Sequence, residues 1–260
     1  MNLQGKVAII TGSTSGIGLA IAQGFANVGL NVVINGFASP EVIADILSTL
    51  RSCGVKASHH NADMSQPGQI KDLMSSTLSE YGSVDVLVNN AGIQKVAPIE
   101  DFPDNSWDAI LAINLSSAFH TTKAALPIMR EAGWGRIINI ASAHGLVASP
   151  YKSAYVAAKH GIMGLTKTTA LECATQNITC NAICPGYVLT PLVERQVTDL
   201  AVAKGMSEEQ VKTEIMLKAQ WTKKFVEVAE LADTALFLCS NSAQNITGSS
   251  INVDGGWTAA

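Results

Sequence analysis

Short apolar runs that alternate with helical patterns are the feature that most restricts how this 260-residue chain can fold. The runs are apolar nearly throughout, which is typical of parallel strands covered by helices on both faces. They occupy residues 7–10, 31–35, 84–88, 136–140, 178–183 and 250–253, and helical patterns occupy residues 18–28, 66–81, 107–131, 152–175 and 226–239. The alternation predicts an α/β fold with one doubly wound, Rossmann-type parallel sheet, formed by residues 1–260 as a single domain.

One segment, residues 190–225, departs from this rhythm. It is polar, rich in Glu, Lys and Gln, and lies between the strand at 178–183 and the last helical pattern. We expect it to form a helical lid over a site at the sheet edge; the alternative is an exposed excursion without a role at the site.

Composition limits the classes of partner. The chain has 17 Lys and Arg against 21 Asp and Glu, a net charge of −4, so no nucleic-acid surface is expected. The start, MNLQGKVAII, leads directly into a strand, and no apolar run approaches 18 residues, so we expect neither a signal peptide nor a membrane span. The five cysteines form no C-x-x-C pair, which predicts reduced thiols, no metal site and a cytoplasmic protein.

A glycine-rich stretch, TGSTSGIG at residues 11–18, follows the first strand. Its glycines, Gly12, Gly16 and Gly18, are spaced G-x-x-x-G-x-G, which differs from the common dinucleotide fingerprint. Gly12 permits a tight exit from the strand, and Gly18 removes bulk where the helix meets the sheet. The helix start favours a phosphate, to which Ser13 and Ser15 can donate hydroxyls. Alone, the stretch fits a cofactor loop or a plain tight turn.

Three side chains further along the chain indicate proton transfer. Tyr155 and Lys159 are spaced i, i+4 in a helical pattern, so an ammonium lies beside a phenol on one face. A neighbouring cation favours the phenolate and lowers the phenol's pKa from about 10. Ser142 closes the strand at 136–140, at the edge where open α/β sheets bind ligands. The set predicts acid/base chemistry on a carbonyl/alcohol pair.

With NNAG at residues 89–92, Asn114 and CPGYVLTP at 184–191, these motifs resemble the short-chain dehydrogenase/reductase family over essentially the whole chain. The resemblance implies that Tyr155 is the general acid/base, that Ser142 polarises the carbonyl, and that Asn114 anchors a proton-relay water. It also implies that Lys159 lowers the pKa of the tyrosine and binds the nicotinamide ribose, and that the protein forms a homotetramer.

The same resemblance implies a nicotinamide cofactor. Its expected contacts are Gly12, Thr14, Ser15, Gly16, Ile17, Gly18, Phe37, Asp63, Asn90, Gly92, Tyr155, Lys159, Pro185, Thr190 and Leu192. Within this set Asp63 resembles the family's adenine contact, although an ordinary turn aspartate is the alternative. Asn90 is expected near the adenosine ribose, and Thr190 with Leu192 near the nicotinamide amide.

The end of the second strand, Asn35-Gly36-Phe37, bears on the choice between NAD and NADP. An acidic residue there would bind the ribose diol, and an arginine would bind a 2′-phosphate. This sequence has neither, a departure from both family patterns, and its glycine loop carries no basic residue. A 2′-phosphate would therefore meet no cation, so we expect NAD.

Polar residues after strand ends and on the expected lid indicate the substrate. Gln94, His144, Lys152 and Gln196 combine one cation with neutral donors, which suits a small carboxylate. With SAHGLVASPYKSAYVAAKHG and VDGGW, they resemble the members of the family that oxidise D-3-hydroxybutyrate, in which the equivalent side chains hold the substrate carboxylate. The implied reaction is (R)-3-hydroxybutyrate + NAD ⇌ acetoacetate + NADH.

Two aromatic residues are expected to line the same pocket. Trp257 is expected near the methyl end of the substrate, with a subunit interface as the alternative. Tyr187, which follows Pro185-Gly186, is expected to line the pocket as well, with core packing as the alternative.

Two other functions remain open at this point. An NADP-dependent reductase of 3-oxoacyl thioesters would need a basic patch for a carrier and an arginine near the glycine loop, and neither is visible. A non-catalytic NAD(H)-binding regulator would not need Ser142, Tyr155 and Lys159 together.

Overall fold

The computed structural model describes residues 3–260, apart from the side chain of Leu192. In this part of the chain seven parallel strands form one sheet in the order β3-β2-β1-β4-β5-β6-β7. The strands are β1 (Val7–Ile10), β2 (Asn31–Asn35), β3 (Ala57–His60), β4 (Val86–Asn89), β5 (Gly135–Ile140), β6 (Ile178–Pro185) and β7 (Ser250–Val253). The order reverses between β1 and β4, which opens a crevice at their carboxyl ends.

Helices cover both faces of the sheet. They are α1 (Gly16–Asn27), α2 (Pro40–Ser52), α3 (Pro67–Tyr81), α4 (Asp104–Leu111), α5 (Ser117–Ala132), α6 (Ser153–Cys173), α7 (Pro191–Lys204), α8 (Glu208–Gln210) and α9 (Val228–Cys239). Neighbouring residues of one strand point to opposite layers: Ile10 packs with Phe25 and Leu231, whereas Ile9 packs with Leu73 and Met129. Both faces are therefore buried, which confirms the predicted α/β fold and explains why the strands lack polar alternation.

The boundaries differ from the sequence prediction in two places. The edge strand β3 and the preceding α2 were not predicted, because β3 reads Ala-Ser-His-His and only Ala57 is fully buried. The helix predicted over 107–131 is divided by a π-helical turn, Ala112–Ser116, between α4 and α5. Such turns insert one extra residue per turn and often accompany functional sites.

The segment 190–225 contains α7, α8 and a second π-helical turn, Val211–Met216. It has an apolar cluster of its own, which includes Val197, Val211 and Met216. Just beyond its far end, Val226 forms an isolated parallel bridge with Val188, which follows β6.

Among the described residues, no helix is both long and apolar enough to cross a membrane. Nor does that part of the chain bring together three or more His, Cys, Asp or Glu side chains that could hold a metal ion.

Candidate active site

The carboxyl ends of the strands open into one cleft with a volume of about 590 Å³. It brings together most of the residues singled out from the sequence. Those that line it are Gly12, Thr14, Ser15, Gly16, Ile17, Phe37, Asp63, Asn90, Gly92, Gln94, Ser142, His144, Lys152, Tyr155, Lys159, Pro185, Tyr187, Thr190, Gln196 and Trp257. Gly18 and Asn114 lie behind this lining, and the side chain of Leu192 lies outside the described structure.

The glycine loop forms a cradle that larger residues would fill. Gly12 has a positive φ of +61°, and a Cβ there would lie 2.8 Å from the Cα of Ala91. A Cβ on Gly18 would lie 2.5 Å from both the Gly12 carbonyl oxygen and the Asn90 amide nitrogen. Because Gly18 has no side chain, the start of α1 lies directly against its own loop and the end of β4. The sequence predicted only that Gly18 removes bulk where the helix meets the sheet.

Two asparagines hold the cradle in place. Asn90 Nδ2 donates hydrogen bonds to the carbonyl oxygens of Thr11 (2.9 Å) and Gly12 (2.8 Å). The Gly12 N–H donates to Asn35 Oδ1 at 3.2 Å, and Asn35 Nδ2 donates to the carbonyl oxygen of Ala62 at 2.9 Å. The ends of β1, β2 and β4 are thus tied to one another at the mouth of the crevice.

The two loop serines have different environments. Ser13 is buried, and its hydroxyl donates to the Ile10 carbonyl at 2.7 Å, so the prediction that it donates to a phosphate is wrong. Ser15 is exposed, lines the cleft and caps α1 without a hydrogen bond from its side chain to the first turn. The first N–H groups of α1 are therefore open to an anion.

The β2–β3 side of the cleft is uncharged except for Asp63. Phe37 is 69% exposed there, and its carbonyl accepts a hydrogen bond from Thr14 Oγ1 at 3.4 Å. Asp63 Oδ1 accepts the Ser65 N–H at 2.8 Å, as turn aspartates do, while Asp63 also lines the cleft. No Lys or Arg occurs among the described lining residues that β2, β3 and their following turns contribute.

Ser142, Tyr155 and Lys159 meet at the carboxyl end of β5. Ser142 lies near enough to the Tyr155 phenol to act on its pKa, and Lys159 Nζ donates to the Ile140 carbonyl at 2.7 Å. Burial raises the pKa of Tyr155 to about 12 in spite of Ser142, which acts to lower it. Burial also lowers the pKa of Lys159 to about 8.

The pKa of Tyr155 is shifted opposite to the sequence prediction. Lys159 was expected to lower that pKa, but its Nζ lies 5.6 Å from the centroid of the Tyr155 ring and donates to a carbonyl group. Burial of the phenol therefore has the larger effect. At neutral pH the tyrosine is a protonated acid.

Asn114 is buried in the π-helical turn and makes both of its side-chain hydrogen bonds to one residue. Its Oδ1 accepts the Ile93 N–H, and its Nδ2 donates to the Ile93 carbonyl, both at 2.9 Å. Asn114 therefore fixes the loop that carries Ile93 and Gln94 into the cleft. The expected water-anchoring role stays a prediction.

A cation and an aromatic pair occupy the far side of the cleft. Lys152 Nζ donates to the Tyr187 hydroxyl at 3.3 Å, and burial lowers the pKa of Lys152 to about 8. Tyr187 stacks on Trp257, with ring centroids 5.3 Å apart and an interplanar angle of 19°. Nearby in the lining, Gln94 Nε2 is buried without a hydrogen-bond partner among the described residues. It is a donor available to a ligand.

His144 has partners that sequence reasoning missed. Its Nδ1 lies 3.4 Å from Ser142 Oγ, and its Nε2 lies 2.8 Å from Ser149 Oγ. Burial, with smaller contributions from Lys152 and His160, lowers the pKa of His144 to about 4, so the ring is neutral. Ser149 lies within the stretch SAHGLVASPYKSAYVAAKHG but was not singled out there, because only the fold of the 146–152 loop brings it to the histidine. Arg195, also missed, lines the cleft beside Gln196 on α7.

A family model described as short chain dehydrogenase matches residues 6–201 of the chain. The chain belongs to the short-chain dehydrogenase family. This confirms the family predicted from the motifs, and members of this family bind a nicotinamide cofactor.

Individual relatives of this short-chain dehydrogenase cover nearly its whole length. The D-beta-hydroxybutyrate dehydrogenase of Rhizobium meliloti is 58% identical over 98% of this chain and 99% of its own. A protein of the same name from Cupriavidus necator is 54% identical, with 99% of each chain covered. A crystal structure of an actinorhodin polyketide ketoreductase with NADPH superposes with a TM-score of 0.92 at 35% identity, covering 98% of both chains.

Proposed function

We propose that this short-chain dehydrogenase interconverts (R)-3-hydroxybutyrate and acetoacetate with NAD. The observation that carries the proposal is the position of Lys152 in the same cleft as the Ser142 and Tyr155 hydroxyls. A cation beside acid/base groups suits a substrate with both a carboxylate and an alcohol. The high identity to two D-beta-hydroxybutyrate dehydrogenases supports the same substrate.

The cleft fits a dinucleotide. The glycine cradle and the open start of α1 would hold its diphosphate, and Phe37 with Asp63 would border its adenosine. Pro185, Thr190 and Leu192 would border the nicotinamide amide, while Tyr155 and Lys159 would bind the ribose. When bound, the cofactor supplies the ring that accepts or gives a hydride. The absence of a cation among the described lining residues around Phe37 supports NAD over NADP.

Ser142 and Tyr155 have different roles at the reacting oxygen. The Ser142 hydroxyl donates to the substrate oxygen and so holds it beside the phenol. In reduction, Tyr155 gives its Oη proton to the developing alkoxide, and its raised pKa keeps the phenol protonated until that transfer. In oxidation the deprotonated Tyr155 oxygen takes the hydroxyl proton, and the Lys159 ammonium stabilises that phenolate.

Lys152 is the proposed ion partner of the substrate carboxylate, with donors from Gln94, His144 and Gln196, which line the same cleft. The unpartnered Gln94 Nε2 supports this arrangement. The stacked rings of Tyr187 and Trp257 would close the methyl end and limit the length of the acid.

The segment 190–225 would act as a lid over the cleft. The cleft-facing positions of Thr190, Arg195 and Gln196 support this role.

Half-exposed Phe119 on α5 and exposed Leu171 on α6 support assembly into a homotetramer through long helices. Five free cysteines, four of them buried, support a reducing, cytoplasmic location.

Steady-state rates over a panel of 3-hydroxy acids with both cofactors test the proposal. We expect (R)-3-hydroxybutyrate with NAD to give the highest kcat/KM. Activity confined to NADPH and 3-oxoacyl thioesters would instead support the thioester reductase. Tight NAD binding without turnover on any member of the panel would support the non-catalytic regulator.

A further inference from the structure

A fully buried glutamine, Gln220, lies near the far end of the segment 190–225 and does not line the cleft. Its Oε1 accepts the Tyr187 N–H, and its Nε2 donates to the Lys224 carbonyl at 2.5 Å. Only this orientation of the amide satisfies both neighbours, because a backbone N–H cannot accept and a carbonyl cannot donate. Burying an amide costs free energy unless both of its ends are bonded, so the two contacts hold the side chain in one position.

Two glycines make room for this side chain. A Cβ on Gly186 would lie 2.5 Å from Gln220 Oε1, and a Cβ on Gly255 would lie 3.2 Å from Gln220 Nε2. Gly186 directly precedes Tyr187, and Gly255 lies two residues before Trp257. The Gln220 amide is therefore inserted between the two backbone segments that carry the stacked rings of Tyr187 and Trp257, which we call the aromatic wall.

The backbone of residues 220–226 bonds to the same two segments. The Trp221 N–H donates to the Gly255 carbonyl at 2.8 Å, and the Val226 N–H donates to the Tyr187 carbonyl at 2.9 Å. With the bond from the Gln220 side chain, both backbone groups of Tyr187 are bonded to residues 220–226. The position of the Tyr187 ring therefore depends on this short segment.

The aromatic wall is where the proposed substrate ends, so its position sets how long an acid the cleft accepts. We infer that Gln220 is a positioning residue, which holds the aromatic wall in place and so confines the cleft to 3-hydroxy acids of the length of butyrate. This inference rests on the proposed function, because it concerns the methyl end of that substrate. An apolar pocket discriminates about tenfold to two-hundredfold for each methylene, and it can do so only if its wall does not move.

The ratio of kcat/KM for (R)-3-hydroxybutyrate to that for (R)-3-hydroxyvalerate, which has one more methylene, tests the inference. Gln220→Met keeps the length of the side chain and removes its hydrogen bonds. It should lower the ratio about three- to tenfold, the size expected for the lost bond to Tyr187. The change should lie in KM, raised for hydroxybutyrate and lowered for hydroxyvalerate. The kcat for hydroxybutyrate should change little, because Gln220 touches none of the reacting groups.

Gln210→Met is the matched control. Gln210 lies in the same segment 190–225, and its Oε1 accepts the Ser207 N–H at 3.0 Å. Its side chain makes no hydrogen bond to Tyr187 or Gly255 in the described structure. This variant loosens the segment without freeing the aromatic wall, so it should leave the ratio unchanged.

Gly186→Ala disturbs the same contact from the other side. Its methyl group would lie 2.5 Å from Gln220 Oε1 and displace the amide, so it should lower the ratio as well. In a Gln220→Ala background the substitution should change the ratio little further, because that oxygen is gone and the Asp254 Cα is 3.0 Å away. Gly186→Ala decides the question if Gln220→Met does not fold.

Hydrogen exchange tests the contact without turnover. The Tyr187 N–H is bonded to Gln220, so it should exchange with deuterated water several-fold faster in Gln220→Met than in the wild type. Gln210→Met should leave its exchange unchanged. Mass spectrometry of peptides that contain Tyr187 measures the rates.

Four outcomes would overturn the inference: a wild-type ratio near one, equal fractional losses on both acids in Gln220→Met, the same change of ratio in Gln210→Met, or unchanged exchange of the Tyr187 N–H. A wild-type protein that oxidises neither acid would overturn the proposed function instead. Hydrogen exchange at Tyr187 would still decide whether Gln220 holds the aromatic wall in that case.

Discussion

Tyr155 is the side chain on which the proposed proton transfer depends most directly. Tyr155→Phe keeps the buried ring and removes only the ionisable oxygen. We expect kcat to fall about 10²–10⁴-fold, the usual contribution of a general acid/base, with little change in NAD affinity. Stopped or continuous assays at 340 nm, with cofactor titration by fluorescence, measure both quantities. A variant with more than a third of wild-type turnover would remove Tyr155 from this role.

Lys152 is the residue on which the proposed substrate depends most. Lys152→Ala leaves the carboxylate without its ion partner, and a hydrogen bond to a charged group is worth roughly 1.5–3 kcal/mol. We therefore expect kcat/KM for 3-hydroxybutyrate to fall on the order of tenfold to a hundredfold or more. An uncharged ester or amide analogue should lose much less. Equal losses on charged and neutral substrates would mean that Lys152 supports the site structurally.

The lowered pKa of Lys152, about 8, predicts how carboxylate binding changes with pH. The protonated lysine binds the anion, so affinity should be constant below pH 8 and weaken about tenfold for each pH unit above it. His144 stays neutral in this range because its pKa is about 4, and burial raises the pKa of Tyr187, so neither ring titrates there. The inhibition constant of acetate against 3-hydroxybutyrate measures the effect.

Lys152→Arg is the matched control for that profile, because a guanidinium stays charged throughout. Its acetate inhibition constant should depend less steeply on pH between 7 and 10 than that of the wild type, because only Lys159, whose pKa is also about 8, still loses its charge there. A wild-type profile no steeper than that of Lys152→Arg would show that Lys152 does not hold the anion.

Among the secondary-structure elements, the start of α1 is the one most sensitive to added volume. Gly18→Ala places a methyl group 2.5 Å from the Gly12 carbonyl and the Asn90 amide, so the loop or Asn90 has to shift. Overpacking of this kind costs about 1–3 kcal/mol, so we expect the dissociation constant of NAD to rise roughly fivefold to a hundredfold. Calorimetric titration measures it.

Gly68→Ala provides a control for the preceding substitution. Gly68 also lies in the first turn of a helix, α3, but a Cβ there meets no atom within 4 Å. This variant should bind NAD like the wild type. Loss of affinity in both variants would point to a general effect of the Gly-to-Ala change rather than to the cradle.

The elements also show which parts of the fold a sequence reveals. A strand such as β1 was predicted because burial on both faces makes it apolar throughout. β3 was missed because an edge strand needs fewer apolar residues. The π-helical turn was missed because Asn114 does not interrupt the helical periodicity of the apolar residues around it. The direction of the Ser13 hydroxyl was predicted wrongly because it depends on the neighbouring backbone and not on the residue type. Ser149 reaches His144 only through a loop conformation that no local pattern encodes.

For the whole molecule, cofactor choice should appear as thermal stability. A ligand at 100 times its dissociation constant stabilises the folded state by about 2.7 kcal/mol, so NAD should raise Tm by several degrees. At the same concentration NADP should raise Tm less, because its 2′-phosphate meets no cation at Phe37. Phe37→Arg should narrow that gap by supplying one. Equal shifts with both cofactors in the unmodified protein would contradict the NAD assignment.

The strand order has a consequence for how the protein is made. β1 lies between β2 and β4, and Ala8 pairs with Val86, so β1 gains its second neighbour only after some 80 further residues have been synthesised. Gly12 packs against Ala91, which leaves the cradle incomplete on a ribosome until that point. Pairings this distant along the chain fold slowly. During synthesis the apolar β1 therefore has an unpaired edge that can pair with other chains. A chaperone that covers this edge would prevent aggregation until β4 has been made.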